Sequence, residues 1–350
     1  MKKPFIKITY SDKSIHSHSV QRNSYIDAMK GAAIILVVLG HAVQVHDANF
    51  DNNYLFRIIY AFHMPFFMFL SGLVLSSQLR SPFINHLKKN FCRLVIPFLV
   101  WYLIDYLFIL SNGQATDLIS YFIALYQSPD RGLWFLWVLF INTSILSIIL
   151  QIVRVKNWLQ WEDYFVVAAI IASRAIPSIE VLGFSEVRYL FLYYAAGYLV
   201  YKHIDTVKNF KTLLQFFTVI AFPLLVIFWR RNEPPTFYAP MMQLIQEPYV
   251  KLAASIYKYS VAFAGMVFMS FIIDRIRGWR GYACLCWLGT MTFDIYVSHG
   301  YFLFGIGHGI PKYISAAGAA TFLSLILSFV LLRRFKLLKL LFLGQLSQNK

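Results

Sequence analysis

Five ionisable side chains stand in stretches that are otherwise almost wholly apolar: His41, His63, Asp105, Asp294 and His299. A titratable group at hydrocarbon depth is costly unless it is paired or faces a polar cavity, so each is a functional candidate. His41 is the most informative, because of its spacing from Lys30. On a helix at ~100° per residue the two share one face, about 16.5 Å apart along the axis. Asp27 lies one turn before Lys30 on nearly the same stripe. A face that runs from a cation at its entrance to an imidazole inside suits general-base chemistry, since an imidazole titrates close to neutral pH.

His63 sits in Phe62-His63-Met64-Pro65-Phe66-Phe67, about 13.5 Å into the second apolar stretch. If the first two helices are antiparallel neighbours, His41 and His63 come to a similar depth. Pro65 has no N–H, so it is expected to kink its helix and free a carbonyl. Asp105 and Asp294 fall near the midplane and read equally as functional groups or as hydrogen-bonded bridges between helices. In His86-Leu87-Lys88-Lys89-Asn90-Phe91-Cys92-Arg93, three cations gather on the same side as Lys30. Membrane orientation alone explains such a run. It also offers a docking surface for a phosphorylated donor, because lysine binds phosphate as a point charge and arginine as a fork.

The elements that must position these groups follow from composition. Of 350 residues, 59% are hydrophobic and only 14% charged, against about 25% charged in ordinary soluble domains. That excludes a soluble globular domain, and the same numbers exclude a disordered chain. The fold expected is all-α, a polytopic membrane protein of about ten transmembrane helices. The apolar stretches run at 28–46, 54–78, 93–111, 133–152, 164–180, 188–202, 211–229, 250–273, 282–304 and 314–332.

The net charge of +16 would point to nucleic acid in a soluble protein. Here it is read as the positive-inside bias, and no nucleic-acid partner is expected. An N-in, C-in arrangement leaves only Arg57, Arg131, Arg174, Arg188, Arg230, Arg231, Lys251, Lys258 and Lys312 outside. The organisation expected is a cytoplasmic tail at 1–26, a transmembrane domain at 27–333 and a basic cytoplasmic tail at 334–350. Across the start of that tail, Arg333 to Lys339 alternates basic and apolar residues, the pattern of an amphipathic segment on the inner leaflet. No cleavable signal peptide is evident. Cys92, Cys284 and Cys286 lie on the reducing side, so no disulfide is expected, and neither they nor His16 and His18 form a metal-ligand set.

Arg22-x4-Asp27-x2-Lys30-Gly31, followed by Ile34 to His41, resembles the opening of the type 3 membrane acyltransferases, which act on envelope sugars. Phe62 to Phe67 with Ser71-Gly72, the basic run ending Arg93-x3-Pro97, Leu133-Trp134-Phe135-Leu136 and Ile295-Tyr296-x2-His299 follow in the family's order. Lys30 stands where many members carry Arg, which keeps the charge and loses the fork.

The resemblance implies a multi-pass protein of the bacterial inner membrane. It would transfer an acyl group, most commonly acetyl from cytoplasmic acetyl-CoA, to a hydroxyl of a polysaccharide, lipopolysaccharide or lipid-linked sugar, with no metal. In that scheme Lys30, Lys88, Lys89 and Arg93 hold the donor's phosphates and His41 is the base. His63, Tyr296 and His299 orient it or the acceptor, and Asp27, Trp134, Asp105 and Asp294 are further candidates. The competing expectation from the residues alone is a proton-coupled transporter or flippase of a lipid-linked sugar, with His41, Asp105 and Asp294 as its relay.

Overall fold

The computed structural model describes residues 23–78, 83–111, 113, 117–127, 133–231, 234–305 and 307–345. Arg22, Arg131, His16, His18, most of the 1–26 tail and residues 346–350 lie outside the described residues. Helix is the only regular structure among those described. Lipid offers the backbone no hydrogen-bond partners, so an apolar chain satisfies its amides internally.

The helices that build the bundle are α1 (Ser24–His46), α2 (Tyr54–Leu73), α3 (Phe83–Ser111), α4 (Leu118–Gln127), α5 (Trp134–Val155), α6 (Glu162–Ser173), α7 (Phe184–Lys202), α8 (Ile204–Val226), α9 (Glu247–Arg275), α10 (Arg280–Thr290), α11 (Thr292–Ser298), α12 (Ile310–Leu332) and α13 (Lys336–Leu343). Seven of them, α1, α2, α3, α5, α8, α9 and α12, are long and apolar enough to cross a bilayer.

The other three stretches of the expected ten take different forms. The stretch at 164–180 is helical only to Ser173, where Arg174 and then Pro177 follow. That at 188–202 lies in α7, whose Glu186, Arg188, Lys202 and tyrosines dilute its hydropathy. The stretch at 282–304 breaks at Met291 into α10 and α11 and ends in a tight turn, His299–Phe302.

Local sequence explains the starts and the kinks. Asn23 and Asn53 cap α1 and α2, their side-chain oxygens accepting the amides of Tyr25 and Leu55, each at 3.0 Å. The kink expected from Pro65 occurs at Ala61–Phe62, where Phe62 leaves the helical region at φ −145°.

Two close helix crossings set the frame of the site. A methyl on Gly31 would overlap the Leu285 carbonyl, and one on Gly289 the Asp27 carbonyl, so α1 and α10 pack backbone to backbone. Gly72 and Gly197 do the same between α2 and α7, against Tyr194 and Phe69. Without a hydrophobic force between helices in lipid, such small-residue contacts carry the association. At the C-terminal end, α13 docks on α3. The Trp101 indole N–H donates to the Phe342 carbonyl at 3.0 Å, and Leu343 is buried.

Candidate active site

Parallel packing of α1 with α10 and α11 brings His41 against His299, and His41 Nδ1 lies 3.0 Å from His299 Nε2. On its other side the His299 ring faces backbone. Its Nδ1 is 3.0 Å from the Ile295 carbonyl and 2.9 Å from that of Tyr296. Carbonyls only accept, so that nitrogen carries the proton and, in the neutral ring, Nε2 is an acceptor. His41 Nδ1 must then donate, which leaves the lone pair of a neutral His41 on Nε2. The arrangement presents one free ring nitrogen in the correct tautomer to act as a base. His299 is buried while His41 is half-buried.

His63 is buried nearby but is not bonded to His41. Its Nδ1–H donates to the Ile59 carbonyl at 3.1 Å, and its ring packs on Tyr60 at 4.5 Å between centroids. Tyr60 lies between the two histidines, its ring centre 6.4 Å from that of His41, and its hydroxyl donates to Gln44 Oε1 at 2.8 Å. The partner at the depth of His41 is therefore His299, with Tyr60 interposed before His63.

A cavity of about 170 Å³ lies alongside. Lys30 and Arg93 line it together with Thr290, Thr292 and the aromatic rings of Phe135 and Tyr296. Tyr296 connects it to the histidines, since its ring lies 6.2 Å from that of His299. Arg93 sits in a single π-helical turn, Phe91–Val95, ahead of Pro97. Proline leaves the i−4 carbonyl without its amide partner, which favours such a shift in register. Lys88 and Lys89 are exposed and are not among the lining residues, and Asp27 meets α10 at Gly289.

Trp134 packs on Phe135 rather than lining the cavity. Asp105 accepts the Tyr121 hydroxyl at 2.6 Å, in a contact between α3 and α4. Asp294 is buried in a two-pronged ion pair with Arg333, Nε to Oδ1 at 2.7 Å and Nη2 to Oδ2 at 3.0 Å, and the Ser328 hydroxyl also donates to it. That pair ties α11, which carries Tyr296, to the end of α12.

Sequence reasoning passed over Tyr60, Arg333 and the buried contact of His86 with Asn90 and Ser147. Tyr60 was accessible, because it precedes His63 by three residues and so shares its helix face. Arg333 was not, because nothing local links it to Asp294. Among the described residues no cluster of metal-ligating side chains is present.

These features define a membrane-embedded histidine pair beside a cation-lined cavity. The acyltransferase domain family matches residues 23–333, and the chain belongs to that family of membrane acyltransferases. It is similar to nodulation protein NolL of Sinorhizobium fredii (strain NBRC 101917 / NGR234), 29% identical over 60% of this chain and 58% of that protein. To nodulation protein NolL of Mesorhizobium japonicum (strain LMG 29417 / CECT 9101 / MAFF 303099) it is 27% identical, over 51% of this chain and 48% of that one. The chain thus spans about half the length of these curated relatives. No solved structure is significantly similar.

Proposed function

We propose that the protein transfers acetyl from cytoplasmic acetyl-CoA to a hydroxyl of an envelope glycan or lipid-linked sugar, with His41 as general base. The observation that carries this reading is the His299 to His41 hydrogen bond, which leaves His41 Nε2 as the proton acceptor.

In the reaction, Nε2 removes the acceptor hydroxyl proton as the oxygen attacks the thioester carbonyl. The tetrahedral intermediate collapses, the carbon–sulfur bond breaks, and the thiolate takes the proton from His41, leaving an ester and free CoA. His299, held by two backbone carbonyls, accepts from the opposite edge of the ring throughout and keeps its orientation. Lys30 and Arg93 bind the donor's phosphates as point charge and fork. Lys88 and Lys89, exposed near the same helix end, draw the polyanion in without contacting the cavity.

A proton relay for transport would route protons through Asp105 and Asp294. Asp294 is held by Arg333 and Asp105 by Tyr121. Both are engaged away from His41, which favours transfer over transport.

Membranes holding the wild type or His41→Ala are incubated with acetyl-labelled acetyl-CoA and acceptor glycan. Base-labile label in the wild type and none in an equally abundant variant supports the reading; equal label in both overturns it.

A further inference from the structure

A second group of charges sits on the side of His41 away from Lys30. Arg57, Arg230, Arg231 and Lys258 gather where α2, the end of α8 and α9 meet. Arg57 is accounted for by the fold. Its guanidinium donates to the carbonyls of Trp229 at 2.9 Å and Val226 at 3.3 Å, and to that of Ile227, so it caps the end of α8. The other three are not. Among the described residues Lys258 reaches only the backbone carbonyl of Arg231, at 3.4 Å. Nη1 of Arg230 is buried with no hydrogen-bond partner among the described residues. Arg231, half-buried, has its guanidinium 5.1 Å from the centre of the Tyr60 ring and forms no ion pair among the described residues.

Half-burying three cations side by side is unfavourable when, as among the described residues, no acid pairs with them, and a ligand that supplies the countercharge would relieve that cost. Its position names the ligand. Arg231 lies over the same Tyr60 ring that flanks His41 and His63. Lys30 and Arg93 lie with the cavity on the other side, so an anion at Arg231 is separate from the donor's phosphates.

We propose that Arg231, with Arg230 and Lys258, binds an oxyanion, phosphate or carboxylate, carried by the acceptor about one sugar ring from the hydroxyl that reacts at His41. This rests on the acyl-transfer reading and narrows it to anionic acceptors. The guanidinium fork suits either oxyanion.

The test is read by binding, with no acetyl-CoA present, so its failure is distinguishable from a failure of acyl transfer. The full chain in phosphatidylcholine nanodiscs is titrated with a short-chain glycosyl diphosphate lipid, an alkyl glucuronide and a neutral alkyl glucoside. The charged ligand should bind roughly tenfold more tightly than the neutral one, with the advantage shrinking as salt rises. Arg231→Gln should remove the advantage and Arg231→Lys keep part of it. Preference for the diphosphate assigns the charge to phosphate, and preference for the glucuronide assigns it to a sugar carboxylate. Equal, salt-independent affinity for all three overturns the proposal, and this comparison needs no variant. Competition by phosphatidylglycerol as effective as by the unlabelled diphosphate lipid also overturns it, because the site then holds a lipid headgroup.

Discussion

His299 Nε2 accepts a hydrogen bond from His41 Nδ1 at 3.0 Å while its own Nδ1–H is held by two backbone carbonyls. The backbone of α11 thereby sets the tautomer of a ring on α1. A base in the wrong tautomer has its lone pair on the wrong edge, so in the proposed reaction His299 is a positioning residue for His41.

Replacing His41 with alanine is expected to lower kcat by about 10²- to 10⁴-fold, the usual contribution of a general base. His299→Ala should lose less, about tenfold to 10²-fold, with little change in KM for either substrate. His299→Gln, whose carbonyl can still accept, should recover part of the loss. A pH–rate profile distinguishes positioning from simple packing, since freeing His41 Nδ1 from its partner alters the apparent ionisation. An unchanged profile in His299→Ala would refute the assignment.

Lys30→Ala should raise KM for acetyl-CoA about tenfold, with Lys30→Arg close to wild type, because either cation serves a phosphate. Lys88→Ala and Lys89→Ala should have smaller effects that vanish at high salt, where exposed charges are screened. Initial rates at two ionic strengths decide this.

Removing Arg333 leaves the buried Asp294 carboxylate alone, whereas removing Asp294 leaves a guanidinium that still reaches solvent. Arg333→Leu is expected to cost about 3 kcal/mol or more of stability and Asp294→Ala less, while the double change to apolar residues recovers much of the loss. Thermal unfolding in detergent measures the cycle, and additive losses would mean the pair is not coupled.

Gly31→Ala and Gly289→Ala place a methyl against backbone that cannot yield without separating α1 from α10. A loss of about 1–3 kcal/mol is expected from such overpacking. Activity should fall with stability, because the same contact sets the distance from His41 to His299.

At the end of α1, the Asn53 side chain donates to Asp47 Oδ2 at 2.8 Å, and this bond holds the carboxyl below its ordinary value of 3.8. A depressed carboxyl stabilises the folded state above the ordinary value, and the gain is lost as pH falls through the folded one. Asn53→Ala should therefore lower the melting temperature at pH 7, and the difference should shrink at acid pH, as Asp47 becomes protonated, to the part that the lost α2 cap leaves. Melting curves across that range test it, and a pH-independent difference would assign the effect to the α2 cap alone.

Much of this was legible along the chain. Membrane residence, the apolar helices and the shared face of Lys30 and His41 depend on residue type and on spacing within one helix. The proline kink in α2 was equally local. The helix count was less legible, because a break such as that at Met291 leaves hydropathy unchanged. Asp294 could be read either way, since its partner Arg333 stands beyond the last apolar stretch and resembles an ordinary flanking charge.

By itself, then, the sequence determined that the chain lives in lipid and which few polar groups it carries there. Hydropathy and helical period are properties of residues and their neighbours. Only the tertiary structure decided that His41 pairs with His299, 258 residues away, rather than with His63. It also decided that Arg93 joins Lys30 at one cavity while Lys88 and Lys89 stay outside. These outcomes depend on which backbones can approach closely, and glycines at two crossings settle that in a solvent that gives helices little other reason to choose their neighbours.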